Sequence, residues 1–144
     1  MTVRVRAATD DDRLDVRRVL DAAMLQVRDD LRERIAAGDV LVAQGDGGGS
    51  ILGALVLVPG EDEGTSPRDG AAHVDAVAVR RARRGRGVGS ALVRAAAERR
   101  GVLTAEFDPA VRPFYESLGF DVSRVDGDGE ASRLRGRYDG RADG

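Results

Sequence analysis

The residues best placed to do chemistry fall in two short stretches. The first is Arg84-Gly85-Arg86-Gly87-Val88-Gly89-Ser90, directly after the apolar run Val77-Ala78-Val79 and Arg80 to Arg83. An apolar strand that runs into a Gly-rich turn and then a helix places unpaired backbone N–H groups at the helix start. That end carries about half a positive charge, and glycines let a ligand approach the backbone closely. The chemistry it suits is binding of a pyrophosphate, with arginines adding charge-assisted bonds. The spacing is not a dinucleotide fingerprint, because Ser90 stands where the third Gly would fall and no βαβ unit with a downstream ribose-binding acid is evident. The second stretch is Pro113-Phe114-Tyr115-Glu116-Ser117-Leu118-Gly119-Phe120. Its Tyr115 hydroxyl, with a reference pKa of about 10, holds a proton at neutral pH and can give one up.

These groups need a scaffold, and the hydrophobic pattern supplies one. Val3 to Arg6 alternates as a strand, and Thr9 or Asp10 opens a helical region with Asp10, Asp11 and Asp12 at its positive end. Val16, Leu20, Met24, Val27, Leu31 and Ile35 recur at helical spacing before Gly38, a stretch long enough to predict a break near Gln26. Val40 to Gln44 and Ile51 to Val58 form a hairpin, and Pro59 to Gly70 reads as an exposed, mobile loop. His73 to Val79 is a strand, Val88 to Arg100 a helix ended by Gly101, and Val102 to Phe107 a strand. Pro113 costs a backbone bond inside a helix, so the short helix ending at Leu118 and Gly119 is expected to begin near it. Phe120 to Val125 and Ser132 to Tyr138 flank an Asp/Gly turn as a last hairpin. The expected fold class is α/β (α+β): one domain over residues 1–138, with a mixed, mostly antiparallel sheet and helices on both faces. Residues 139–144 are expected to be a frayed tail.

Composition removes other chemistries. The 144 residues contain no Cys, which excludes disulfides, thiolate catalysis and Cys-ligated zinc. Every basic residue is Arg, so Schiff-base chemistry and a Lys-containing phosphate loop are excluded. The single His, His73, cannot make a multi-His metal centre, and no metal is expected. A net charge of −2 gives no global pull toward nucleic acid, and five aromatic residues give no stacking platform for one. No apolar run approaches the ~20 residues that span a bilayer, and no signal region follows the N-terminus. A soluble cytoplasmic protein is expected, with a homodimer left open.

The motif Arg84-x-x-Gly87-x-Gly89 after an apolar strand resembles the coenzyme A signature of the GNAT superfamily of acyl-CoA-dependent N-acyltransferases. Pro113 to Phe120 is similar to the Tyr-Glu-x-x-Gly-Phe motif near the end of those domains. The order and spacing of elements match over residues 3–138. The resemblance implies an N-acetyltransferase that moves an acetyl group from acetyl-CoA to a primary amine on a small molecule, peptide or protein. It implies that Val77, Ala78 and Val79 hold the pantetheine arm as an added pseudo-strand, one backbone N–H serving the oxyanion. Arg84, Gly85, Arg86, Gly87, Val88, Gly89 and Ser90 would wrap the pyrophosphate. Asp108 stands where the family often has Asn, and an ionised Asp accepts but does not donate.

Tyr115 matches the family's general acid. Asp75 occupies the position where many members carry a Glu base, with His73, Glu106 and a relayed water as rivals. The other reading is a module that binds acyl-CoA without turnover. The acceptor side in the family lies near the first helical region and the final hairpin, where Asp29, Asp30, Glu33, Asp126, Asp128 and Glu130 would attract a cationic amine.

Overall fold

The computed structural model describes residues 3–45, 50–59, 72–80, 87–124 and 133–139. Among the described residues, seven strands and four α-helices follow the order expected from the sequence. Contacts divide the chain into two compact units, Met1–Val58 with Asp75–Ala95, and Pro59–Val74 with Ala96–Gly144. The division falls within two strands and a helix, between Val58 and Pro59, Val74 and Asp75, and Ala95 and Ala96; the stretch 60–71, expected to be an exposed loop, lies outside the described residues. Strand β4 (Ala72–Val79) supplies residues to both units.

In the first unit, β1 (Val3–Ala7) pairs antiparallel with β2 (Val40–Gly45), which pairs antiparallel with β3 (Ile51–Pro59). Strand β3 is apolar along its length, and Ile51 to Leu57 are all buried. Helix α1 (Arg13–Ala22) turns Val16, Val19 and Leu20 toward β2 and β3 residues Val40, Val42 and Val56 in one buried cluster. Each such side chain contributes about 1.5–3 kcal/mol when fully removed from water. Thr9 and Asp12 close the helix start: the Thr9 N–H donates to Asp12 Oδ2 at 2.8 Å. Asp12 also accepts two bonds from the Arg6 guanidinium, at 2.7 and 3.0 Å. The Arg6 bonds hold the Asp12 carboxyl down at a pKa of about 2.

The expected break in the long helical pattern falls between α1 and α2 (Leu31–Ala36). Met24 takes φ +62°, its N–H bonds to Asp21 O at 2.9 Å, and the Leu25 N–H reaches back to Leu20 O at 3.0 Å. This is a left-handed helix stop made without Gly, at a cost of about 1–2 kcal/mol. Met24 is 94% exposed, so it is not the core residue that the helical spacing suggested.

In the second unit, β4 residues Ala72–Val74 run parallel to β5 (Val102–Phe107). Strand β7 (Leu134–Asp139) lies antiparallel between β5 and β6 (Asp121–Arg124). Asp139 pairs with Val102, so the strand runs one residue past the expected boundary at 138 and Asp139 is not tail. Helix α4 (Arg112–Ser117) carries Pro113 in its first turn, after a 3-10 turn at Pro109–Val111, so it does begin late. Helix α3 (Val88–Arg100) contributes to both units. No helix among the described residues is long and apolar enough to cross a membrane.

The Arg6–Asp12 pair gives a stability test. Asp12→Asn is expected to lower stability by about 1–2 kcal/mol at neutral pH, since Arg6 is partly exposed to screening water. The folded carboxyl titrates below its unfolded value, so its contribution is present above about pH 3.8 and is lost as the pH falls toward about 2. Urea titrations of both proteins at pH 7, 4 and 2.5 should show the gap closing.

Candidate functional site

Strand β4 (Ala72–Val79) leads into the first chemical stretch, and its ladder with β5 covers Ala72–Val74 only. From Asp75 onward it is the last strand of the first unit's sheet, with Ala76 and Ala78 buried and Val77 and Val79 half-buried. An edge of extended backbone is what an added pseudo-strand requires.

Arg80 at the end of β4 and the start of α3 are both fixed on β3. The Arg80 N–H donates to Leu52 O at 2.8 Å, and its Nε donates to Ile51 O at 2.6 Å. On the other side, Val88 and Leu92 of α3 close over Gly53, where an added Cβ would lie 3.1 Å from Val88 Cγ1 and 2.8 Å from Ala78 O. Gly53 therefore brings Ala78 and Val88 together, two residues that the sequence had assigned to cofactor contact. Arg84, Gly85 and Arg86 lie outside the described residues.

Gly87 stands before α3 with φ +83°, a conformation that favours glycine, and a Cβ there would meet nothing within 4 Å. Its carbonyl accepts from Ala91 N, so the N–H groups of Val88, Gly89 and Ser90 stand in the first turn with no helical acceptor before them. The fit to a pyrophosphate is that open helix start beside an open glycine.

Asp75 is on the same unit. It lines a cleft of about 470 Å³ with the loop Leu25–Asp30 and Ala76. Its Oδ1 lies 3.4 Å from Arg28 Nη1, while Arg28 Nε binds Asp30 more closely, at 2.7 Å. That hydrogen bond, with the charge beside it, lowers the Asp30 pKa and raises that of Arg28. Arg28 was not singled out from the sequence. It stands directly before the acidic pair Asp29 and Asp30, and its contact with Asp75 spans 47 positions.

Tyr115 belongs to the second unit, on α4. Its ring is stacked on Phe107 at 4.2 Å and meets the edges of Phe114 and Phe120 at 5.0 and 5.2 Å. Burial raises the pKa of its hydroxyl. Asp108 accepts from Ala110 N at 2.9 Å and so caps the 3-10 turn before α4, which occupies one of its oxygens. His73 Nδ1 is 2.8 Å from Thr104 Oγ1, a buried partner that favours a structural role. Glu106 is exposed, and Asp126, Asp128 and Glu130 lie outside the described residues. Among the described residues no three His, Asp or Glu side chains gather as metal ligands would.

The family model described as an acetyltransferase (GNAT) domain matches residues 36–122. Among solved structures, a GNAT-family acetyltransferase of Bacillus cereus superposes with a TM-score of 0.75 at 17% identity, covering 96% of this chain and 98% of that one. Arabidopsis thaliana Naa50, in complex with the bisubstrate analogue CoA-Ac-MVNAL, gives 0.72 at 15% identity, covering 96% and 99%. Ard1 of Thermoplasma volcanium gives 0.71 at 17%, covering 96% and 98%. At these identities the likeness is one of fold. No curated protein matches the sequence.

The Tyr115 environment can be read directly. The chain has two tyrosines and no Trp, so Tyr138→Phe leaves Tyr115 as the only phenol. Its absorbance at 295 nm should rise above pH 10 in the folded protein and near 10 after unfolding in urea. A folded-state titration at or below 10 would contradict the buried ring.

Proposed function

The chain belongs to the GNAT acetyltransferase family, and from that premise we propose that it transfers an acetyl group from acetyl-CoA to a primary amine by direct attack. The observation that carries the reading is the open start of α3 behind Gly87, immediately after the edge of β4. It supports a pyrophosphate held on the N–H groups of Val88, Gly89 and Ser90, with Arg84, Gly85 and Arg86 completing the turn. The pantetheine arm would lie along Val77, Ala78 and Val79. The Arabidopsis relative, with coenzyme A, acetyl and peptide joined in one analogue, supports an amine as acceptor on this fold.

The chemistry then assigns the remaining groups. The neutral amine nitrogen bonds to the thioester carbonyl carbon, and a β4 backbone N–H stabilises the oxyanion. Asp75 takes the proton that the nitrogen must lose, directly or through water. The C–S bond breaks as the tetrahedral centre collapses, and Tyr115 gives its proton to the departing sulfur. A free thiol has a pKa near 8.5 and the buried phenol lies above 10, so handing the proton to an already released thiolate is uphill by about 2 kcal/mol or more. The proton therefore moves as the C–S bond breaks, and solvent restores the phenol afterwards. Asp108, capping its turn, contributes at most one oxygen to the cofactor side.

Two variants test the parts separately. Gly87→Val should weaken coenzyme A binding at least tenfold, about 1.4 kcal/mol, by calorimetry on the folded protein; unchanged affinity would remove the phosphate turn. Tyr115→Phe should lower kcat by about 10²-fold with acyl-CoA affinity nearly kept, followed by release of free thiol. Coenzyme A binding without thiol release for any amine would make the chain a non-catalytic acyl-CoA-binding module.

A further inference from the structure

We infer that the acceptor is dipolar: a primary amine joined through a short aliphatic spacer to a carboxylate. The inference rests on the acetyl-transfer reading and narrows its substrate. Two clefts of the first unit adjoin, sharing Val27, Arg28 and Asp29. The first, of about 470 Å³, is lined by the carboxylates Asp29, Asp30 and Asp75 against the single guanidinium of Arg28. The second, of about 350 Å³, is lined by four guanidiniums, those of Arg13, Arg17, Arg28 and Arg32, against Asp29 and Glu33. Fields of opposite sign therefore meet at Arg28, in neighbouring spaces.

The pairing inside each cleft shows where charge is unmet. Arg28 spends its short contact, 2.7 Å, on Asp30 and leaves Asp75 the longer one of 3.4 Å. Asp75 thus has room for an ammonium, in the cleft where the amine must arrive if Asp75 is its base. In the second cleft, Arg13 and Arg32 share the exposed Asp10, each at 3.7 Å, beyond hydrogen-bond distance. Arg17 makes no ion pair with a described residue. Arg13 and Arg17 are four apart on α1 and so are neighbours on one helix face, and Arg32 stands in the first turn of α2. Three guanidiniums around one space, with no close carboxylate of their own, suit a ligand carboxylate held by two parallel bonds. Val27 belongs to both linings and offers the apolar wall that a methylene spacer would cross. A simple alkylamine would satisfy the first cleft and leave the second as it is.

The test uses ω-amino acids of three to six carbons and their carboxamides, which are matched in shape and differ by one charge. Two readouts are taken with the full chain: acetyl transfer from acetyl-CoA by thiol release, and calorimetric binding of each acceptor in the presence of coenzyme A. At low salt, at least one acid should show a KM and a Kd at least tenfold below those of its carboxamide. In Arg17→Gln the acid-to-carboxamide ratio should fall to within about threefold of one, a change that a general loss of folding would not produce. Equal values for every acid and its carboxamide in the wild type overturn the dipolar acceptor and leave acetyl transfer standing. Preferential binding of an acid without thiol release keeps the dipolar site and overturns the acetyl-transfer reading. A ratio unmoved in Arg17→Gln overturns the assignment of the carboxylate to the second cleft.

Discussion

The bare backbone at Gly53 is the constraint on which the meeting of β3, β4 and α3 depends. A side chain there would have to share space with the Ala78 carbonyl, Val88 and Leu92, so β4 and α3 could not both close on β3. The neighbouring residues Ile51 and Leu52 receive both hydrogen bonds from Arg80 at the end of β4. A three-residue piece of β3 therefore fixes the point where the strand leaves the sheet and the point where the helix begins. A helix start held by packing aims its N–H groups before any ligand arrives, which lowers the ordering cost of binding an anion.

The cleft beside Asp75 is organised by different forces. Asp39, Arg34, Asp30, Arg28 and Asp75 form a chain of alternating charges from the start of β2 to β4, with successive contacts of 3.1, 3.7, 2.7 and 3.4 Å. Most of these side chains are partly exposed, and pairs of that kind contribute about 0–1 kcal/mol each. Their consequence is placement rather than stability. The chain ties the segment between α1 and α2 to β4, after Met24 has turned it with a strained left-handed residue. A strained, fully exposed Met ends α1 where a Gly would do so more cheaply. The packing of Val27 and Leu25 against the core holds the chain beyond it.

Most of the scaffold was legible because its signals are local. The alternation in β1, the apolar run of β3, the Ala-rich face of α3 and the late start of α4 at Pro113 each follow from periodicity or from one residue's geometry. The break after α1 was legible only as excess length. Its cause, a non-Gly residue at φ +62°, leaves no compositional mark. The same limit applies to the site. Gly87 and Tyr115 announce themselves through motifs, whereas Arg28 matters through a partner 47 positions away and Gly53 through a helix that packs on it. Asp108 was read as a cofactor contact by its place in a motif, and its bond to Ala110 N is a turn cap that any Asp before a Pro could make. Non-local pairings of this kind have no spacing from which to be read.

The groups proposed for the two ends of the reaction thus differ in what holds them. Tyr115 is fixed by ring packing: Phe107 lies flat against it, Phe114 and Phe120 meet its ring at steep angles, and Phe120 in turn meets Tyr138. Phe107 and Phe120 both pack close over Gly136 of β7, where a Cβ would stand 3.1 Å from each ring. Dispersion and burial of this sort are nearly indifferent to dissolved ions. Asp75, by contrast, is held by a guanidinium at 3.4 Å near water, an interaction that salt screens. An acid set in an uncharged aromatic cluster keeps its proton whatever charge the acceptor brings. A carboxylate paired at 3.4 Å with a partly exposed guanidinium can exchange that internal cation for an external one. The division would let the proposed acceptor cleft respond to the charge of what enters it without disturbing the group proposed to protonate the thiolate.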